Sequence, residues 1–104
     1  MIKIKIMKPH TKIFYDYHKL AASDFIHCAI CGAEATDIHH ISGKPMGNKS
    51  KRYDVPENLI PVCRSCHNDI HNEKISKYSV KLNLWSWCQC HGTKIEYNLI
   101  NNFK

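Results

Sequence analysis

The chain has 104 residues, with 15 lysine and arginine residues against 9 acidic ones and a formal charge of +6. That length suits one small domain, 1–104, with a limited buried core. No segment approaches the roughly 20 apolar residues of a membrane-spanning helix, and no apolar run follows the basic start, so Met1 to Pro9 does not read as a secretory signal. The positive balance favours a polyanionic partner.

Ile2, Ile4 and Ile6 alternate with Lys3 and Lys5, which predicts a strand with one buried face, closed by Pro9. Phe14, Tyr17, Leu20 and Ala21 then recur at helical intervals and predict a helix from Ile13 to Ala22. Cys28-Ala-Ile-Cys31 is followed by Gly32, where the chain must turn and a residue that tolerates positive φ is useful. Asp37 to Ile41 reads as a short strand whose isoleucines pack inward. Ser42 to Glu57 carries two glycines, two prolines and a basic run, and reads as a loop. Leu59 to Val62 returns as a strand, with Pro61 requiring an edge or a strand end.

A helix is expected from Ser65 to Tyr78, with Ser65 as its N-cap and Asp69 close enough to its start to favour the dipole. His67 and His71 are four apart and share one face, while Cys66 is turned about 100° from His67. After Ser79, residues Val80, Leu82, Leu84 and Trp85 indicate further core without a clear period. The segment Trp85-Ser-Trp-Cys88-Gln-Cys90-His91 holds three potential ligands but no matched partner, and is read as packing rather than as a metal site. Residues 79–104 are thus an extension to a motif core at about 25–72.

Two ligand systems interleave in that core. Cys28, Cys31, Cys63 and Cys66 form paired Cys-x-x-Cys hooks, the spacing of a tetrahedral structural zinc. Six cysteines also suit three disulfides in a secreted chain, but paired hooks without a signal favour a reduced cytoplasmic or nucleoid-associated protein. In small peptides such a zinc contributes about 10 to 16 kcal/mol, enough to decide whether a small domain folds. Binding it through four thiolates lowers the formal charge by two and leaves the chain cationic. The closed zinc site leaves His39, His40, His67 and His71 over.

Asp37-Ile-His-His-Ile, Asn58-Leu-Ile-Pro-Val-Cys and Cys66-His-Asn-Asp-Ile-His71 together resemble the HNH endonuclease family in its cysteine-bearing form. The resemblance covers about Phe25 to Asn72. It implies a small α+β protein, a ββα-metal core stabilised by a four-cysteine zinc site, that hydrolyses DNA phosphodiesters. By the same resemblance His40 is the general base that activates water, Asn58 pins the hairpin and helps orient His40, and His39, His67 and His71 hold one catalytic divalent ion. Three imidazoles suit zinc or nickel, whereas magnesium prefers oxygen donors; magnesium and manganese stay open beside zinc and nickel as the catalytic ion.

Lys44, Lys49, Lys51, Arg52 and Arg64 surround this constellation and are expected to contact phosphates, with Arg52 or Arg64 stabilising transition-state charge. Duplex DNA is the expected partner, with a homodimer or a protein partner also open. The competing readings are a noncatalytic zinc-dependent nucleic-acid-binding module and a zinc scaffold for another protein. Asp37 reads either as the acceptor that orients a metal-bound histidine or as a strand cap. His10, His18 and His27 read as surface or locally hydrogen-bonded residues. Phe14, Tyr17, Leu20 and Val62 read as packing residues, as do Tyr53, Tyr78 and Tyr97. A backbone carbonyl is the expected acceptor for the second ring nitrogen of His40.

Overall fold

Pro9 opens a helix. In the computed structural model, which describes residues 9–42, 53–93 and 95–102, α1 spans Pro9–Tyr17. Proline suits the first helical position because its missing N–H has no intrahelical partner there. The expected continuation to Ala22 does not form: Lys19 takes a left-handed φ of 56° and the Leu20 N–H turns back to the Tyr15 carbonyl at 2.8 Å. Phe14 and Tyr15 face the core, whereas Tyr17 is 46% exposed and packs against the His18 ring. The strand expected at Ile2 to Ile6 lies outside the described residues, as do Lys44, Lys49, Lys51 and Arg52.

The first cysteine hook is a knuckle closed by a bridge between His27 and Glu34. Inside it the Cys28 N–H donates to the Ala33 carbonyl at 2.6 Å, and Gly32 sits at φ 83°, a backbone setting that disfavours any Cβ. The knuckle is stitched to the sheet by Ala29 N–H to Pro61 O at 2.9 Å and Thr36 N–H to Val62 O at 3.0 Å.

That sheet is a two-stranded antiparallel pair, β1 at Asp37–His40 and β2 at Leu59–Val62. Its register sets His39 opposite Ile60 and His40 opposite Leu59. In so small a sheet β2 is an edge strand, where a proline is tolerated. A one-turn 3-10 helix, Pro56–Asn58, leads into β2.

Cys63, not Ser65, caps the helix that follows: its Sγ accepts from the Cys66 N–H, and α2 runs Arg64–His71. Asp69 consequently sits beyond the first turn, which holds no acid, so the expected dipole contribution is lost. The helix stops well short of Tyr78. Asn72 caps it, and Glu73 takes a left-handed φ of 59° while the Lys74 N–H reaches back to the Asp69 carbonyl at 2.9 Å. Ser76 then caps a separate helix, α3 at Lys77–Cys90, and α4 follows at Tyr97–Asn102.

The protein is therefore a small α+β structure, with a two-stranded sheet and four α-helices among the described residues. Phe14, Ile26, Leu59, Ile60, Val62, Val80, Leu84, Trp87 and Ile100 form a common core. Trp87 Nε1 donates to the His27 carbonyl at 3.1 Å and so joins α3 to the knuckle. None of the described helices is long and apolar enough to cross a membrane.

Candidate metal centre

The hairpin and α2 bring the two predicted ligand systems to separate places. The sulfurs of Cys28, Cys31, Cys63 and Cys66 lie within 4.8 Å of one another, and all six cysteines are free thiols. The Cys31 and Cys63 sulfurs are 3.6 Å apart, too long for a disulfide. It is close to the roughly 3.8 Å between sulfurs that a tetrahedral ion with metal–sulfur bonds of about 2.3 Å requires. Burial opposes ionisation of Cys28, but backbone N–H groups of Cys31, Cys63 and Ile30 outweigh it and bring the thiol down to about 7. Burial and the neighbouring Cys63, Cys31 and Cys28 sulfurs push Cys66 the other way. Crowded thiols cannot all ionise without a cation, so this donor set fits a bound zinc or another thiophilic metal.

On β1, Asp37 and His39 are two residues apart and share the face toward α2. His39 there meets His67 and His71, whose potential donor atoms lie within 4.8 Å of one another. Ring centroids are 4.8 Å apart for His39 and His67, and 4.9 Å for the stacked His67 and His71. Burial first, and then the charges of His67, His71 and His40, bring His39 down to about 4, so this ring stays neutral and able to ligate.

Asp37 completes the arrangement. Its carboxylate accepts from His67 Nδ1 at 2.8 Å and from Arg64 Nε at 3.0 Å. Burial of Asp37 disfavours its charge, but these two partners prevail and hold the carboxyl below its ordinary range. A proton fixed on Nδ1 leaves Nε2 of His67 as the nitrogen with a lone pair. Arg64, 73% exposed, lies at the margin of the cluster and is tied to Asp37.

His40 points to the other side of β1. Its Nε2 meets the Asp54 carboxylate at 2.7 Å, in place of the expected backbone carbonyl. The His10 ring lies 4.5 Å from that of His40, and His10 Nε2 donates to the Ile38 carbonyl at 3.2 Å. Sequence reading missed both partners. His10 comes from an element remote from the motif, and Asp54 from a loop whose residues carry no period; the nearest signal is an acid four residues ahead of Asn58.

Asn58 itself is 1% exposed. Its Oδ1 accepts from Ser42 N–H at 2.8 Å, while Nδ2 donates to Ser42 O and Tyr53 O. It thus closes the two ends of the β1–β2 connection. His39, His40 and His71 line one cavity of about 430 Å³ together with Ile70, Glu73 and Lys77. The strand end therefore presents both histidine faces to a common groove.

The remaining ligand-type residues stay out of this region. Burial pushes the Cys88 thiol up to about 12, while Cys90 is exposed. His91 stacks on Trp87 with ring centroids 3.8 Å apart. His27 is locally bonded to the Gly32 carbonyl. His18 departs from expectation: it is buried among Phe14, Tyr17 and Trp87, and neither ring nitrogen has a hydrogen-bond partner.

A family described as a protein of unknown function (DUF968) matches residues 4–100. The chain belongs to that family. Two curated relatives share part of this DUF968 chain. It is 49% identical over 51 residues to a mitochondrial DNA mismatch repair protein mutS homolog of Sarcophyton glaucum, across 47% of this chain and 5% of that protein. It is 36% identical over 61 residues to the uncharacterized protein YdfU of Escherichia coli K12, across 55% of this chain and 17% of that protein. The chain thus spans less than a fifth of the length of either relative. No solved structure matches it.

Proposed function

We propose that this DUF968 chain is a metal-dependent endonuclease of the HNH type that hydrolyses DNA phosphodiester bonds. The observation that carries the reading is the convergence of the His39, His67 and His71 donors within 4.8 Å of one another, apart from the cysteine cluster, with His39 and His71 opening onto the groove that His40 also lines. Structural zinc sites are closed, whereas a catalytic ion needs open positions. A three-imidazole cluster with two of its rings, His39 and His71, on the wall of a groove meets that need.

A divalent ion held by His39, His67 and His71 would, when bound, polarise a phosphoryl oxygen and stabilise charge on the leaving oxygen. His40 acts as the general base, as an imidazole can near neutral pH. Its ring takes a proton from water as the water oxygen bonds to phosphorus. The bond from phosphorus to the leaving oxygen breaks on the opposite side, and that oxygen takes its proton from solvent. Asn58 keeps the hairpin closed around the site. The exposed guanidinium of Arg64 at the cluster's edge is a phosphate contact, and Lys44, Lys49, Lys51 and Arg52 are the proposed electrostatic footprint.

DNA as the polymer is supported by the positive charge and by the printed name of the mutS homolog, which refers to DNA mismatch repair. The test compares the wild-type protein with His40→Ala on supercoiled plasmid, with magnesium, manganese, nickel or zinc supplied. Metal-dependent nicks from wild type alone, with DNA binding kept in both, support the assignment. Binding without nicks in every metal would instead establish the noncatalytic nucleic-acid-binding reading.

A further inference from the structure

His40 is held by the Asp54 carboxylate and packed by the His10 ring. A carboxylate only accepts, so the 2.7 Å contact places the proton of a neutral His40 on Nε2 and leaves the lone pair on Nδ1. The two side chains are 18% and 10% exposed, so water competes weakly for that bond.

Asp54 is itself clamped through its neighbours. The Asn58 side-chain amide donates to the Tyr53 carbonyl at 2.9 Å, and the Asn58 backbone N–H donates to the Val55 carbonyl at 2.9 Å. These are the residues immediately before and after Asp54. On its other side Asn58 holds the end of the strand that carries His40: Ile41 N–H donates to its carbonyl at 2.9 Å and Ser42 N–H to its Oδ1 at 2.8 Å. One buried asparagine therefore sets the spacing between His40 and its carboxylate. The His10 ring, itself fixed to the Ile38 carbonyl, packs against His40 and restricts rotation of that ring.

We infer that Asp54 is the positioning residue for His40, fixing the tautomer and ring direction in which Nδ1 meets water, and that Asn58 acts on the chemistry through Asp54. This rests on the nuclease reading above. Asp54 touches neither substrate nor ion in this scheme. Its carboxylate remains opposite the imidazolium that forms when His40 takes the proton, and so favours that charge in the reacting state.

The test uses the full zinc-loaded chain labelled with ¹⁵N-histidine, and long-range ¹H–¹⁵N spectra under conditions where the His40 ring is neutral. The His40 signals are identified by their loss in His40→Ala. Wild type should show a protonated Nε2 and an unprotonated Nδ1, and Asp54→Ala should average the two tautomers. On supercoiled plasmid Asp54→Ala should lower kcat, by no more than the roughly 10²- to 10⁴-fold that a positioned general base contributes, with KM for DNA unchanged and partial recovery in Asp54→Glu. Adding Asp54→Ala to His40→Ala should cost nothing further, because in this scheme Asp54 acts on the reaction through His40.

Asp54→Ala with an unaltered tautomer and kcat overturns the inference, as does loss of cysteine-bound zinc and of the fold, which would make Asp54 a structural residue. Wild-type protein that nicks no DNA in any metal removes the nuclease reading and this inference with it. Nicking by wild type beside equal nicking by Asp54→Ala removes the inference alone.

Discussion

The cysteine and histidine clusters draw on the same strand pair and helix yet are built on opposite principles. Cys66 and His67 are consecutive in α2, but Cys66 turns inward to three other sulfurs while His67 turns to His39, His71 and the Asp37 carboxylate. Sulfur supports sulfur through backbone N–H groups of the knuckle and of the α2 cap, including Cys66 N–H to Cys63 Sγ at 3.4 Å. The histidines instead lean on side chains, Asp37 with its partner Arg64 on one face and Asp54 and His10 on the other. The first arrangement joins chain segments and needs a cation to relieve its own crowding. The second leaves a groove, and its geometry depends on groups that can be removed without cutting the scaffold.

The sharpest way to break this contrast is to disable one cluster and ask whether the other survives. Cys28→Ser should cost the most, because a structural zinc in a small domain contributes about 10 to 16 kcal/mol. Zinc per chain should fall, and the cooperative thermal transition followed by circular dichroism should vanish, with the histidine site lost alongside. His40→Ala should do the reverse. Zinc at the cysteines and the unfolding curve should stay as in wild type, while on the proposed nuclease reading the nicking rate falls by roughly 10²- to 10⁴-fold, the range attributed to a positioned general base. Equal rates for the folded pair would remove His40 from the chemistry.

How far the sequence foretells this division depends on the range over which each residue acts. Cys28, Cys31, Cys63, Cys66, His67 and His71 could be grouped from spacing alone, because a hook and a helical face are local geometries. The strands at Asp37–His40 and Leu59–Val62 were legible for the same reason. The helix after Cys63 was misjudged because Glu73 accepts a left-handed φ of 59° without a glycine to announce it, which splits one expected helix into α2 and α3. The start of α1 at Pro9 rather than Ile13 is likewise unannounced by the apolar period, because a proline serves as a first helical residue without joining the buried stripe. Asp54 and His10 could not be found by pattern at all: each reaches His40 only through tertiary placement, 14 residues away in the case of Asp54.

A smaller effect sharpens the histidine side. Asp37 fixes the Nδ1 proton of His67 and draws Arg64 to the margin of the cluster. On the proposed reading, in which the histidines hold an ion, Asp37→Ala should weaken that binding by roughly 10- to 100-fold, as loss of an outer carboxylate does elsewhere. Isothermal titration of the protein with its cysteine site already loaded would measure this, and the cysteine zinc should be untouched. A drop in cysteine-bound zinc of the same size would show that the two clusters are coupled through α2 rather than independent.

The smallest effect concerns acid, which attacks both clusters and therefore blurs them. His18 lies against Phe14 and Trp87, and Trp87 in turn bonds to the His27 carbonyl beside Cys28, so this ring belongs to the cysteine side of the molecule. Burial, and then the nearby charge of His91, bring His18 down from 6.5 to about 4. Between those values the unfolded chain binds a proton that the folded chain refuses, so stability rises with pH across that window. The contribution of a neutral His18 is fully present above the unfolded value and is lost as pH falls from 6.5 toward 4. His18→Phe keeps the aromatic packing and removes the two ring nitrogens that lack partners. Its urea midpoint should exceed that of wild type by more at pH 5 than at pH 7.5. Protonation of the metal ligands is common to both proteins and cancels in that difference. A gap that does not change with pH would mean that His18 takes up its proton in the folded state, and acid sensitivity would then belong to the ligands alone.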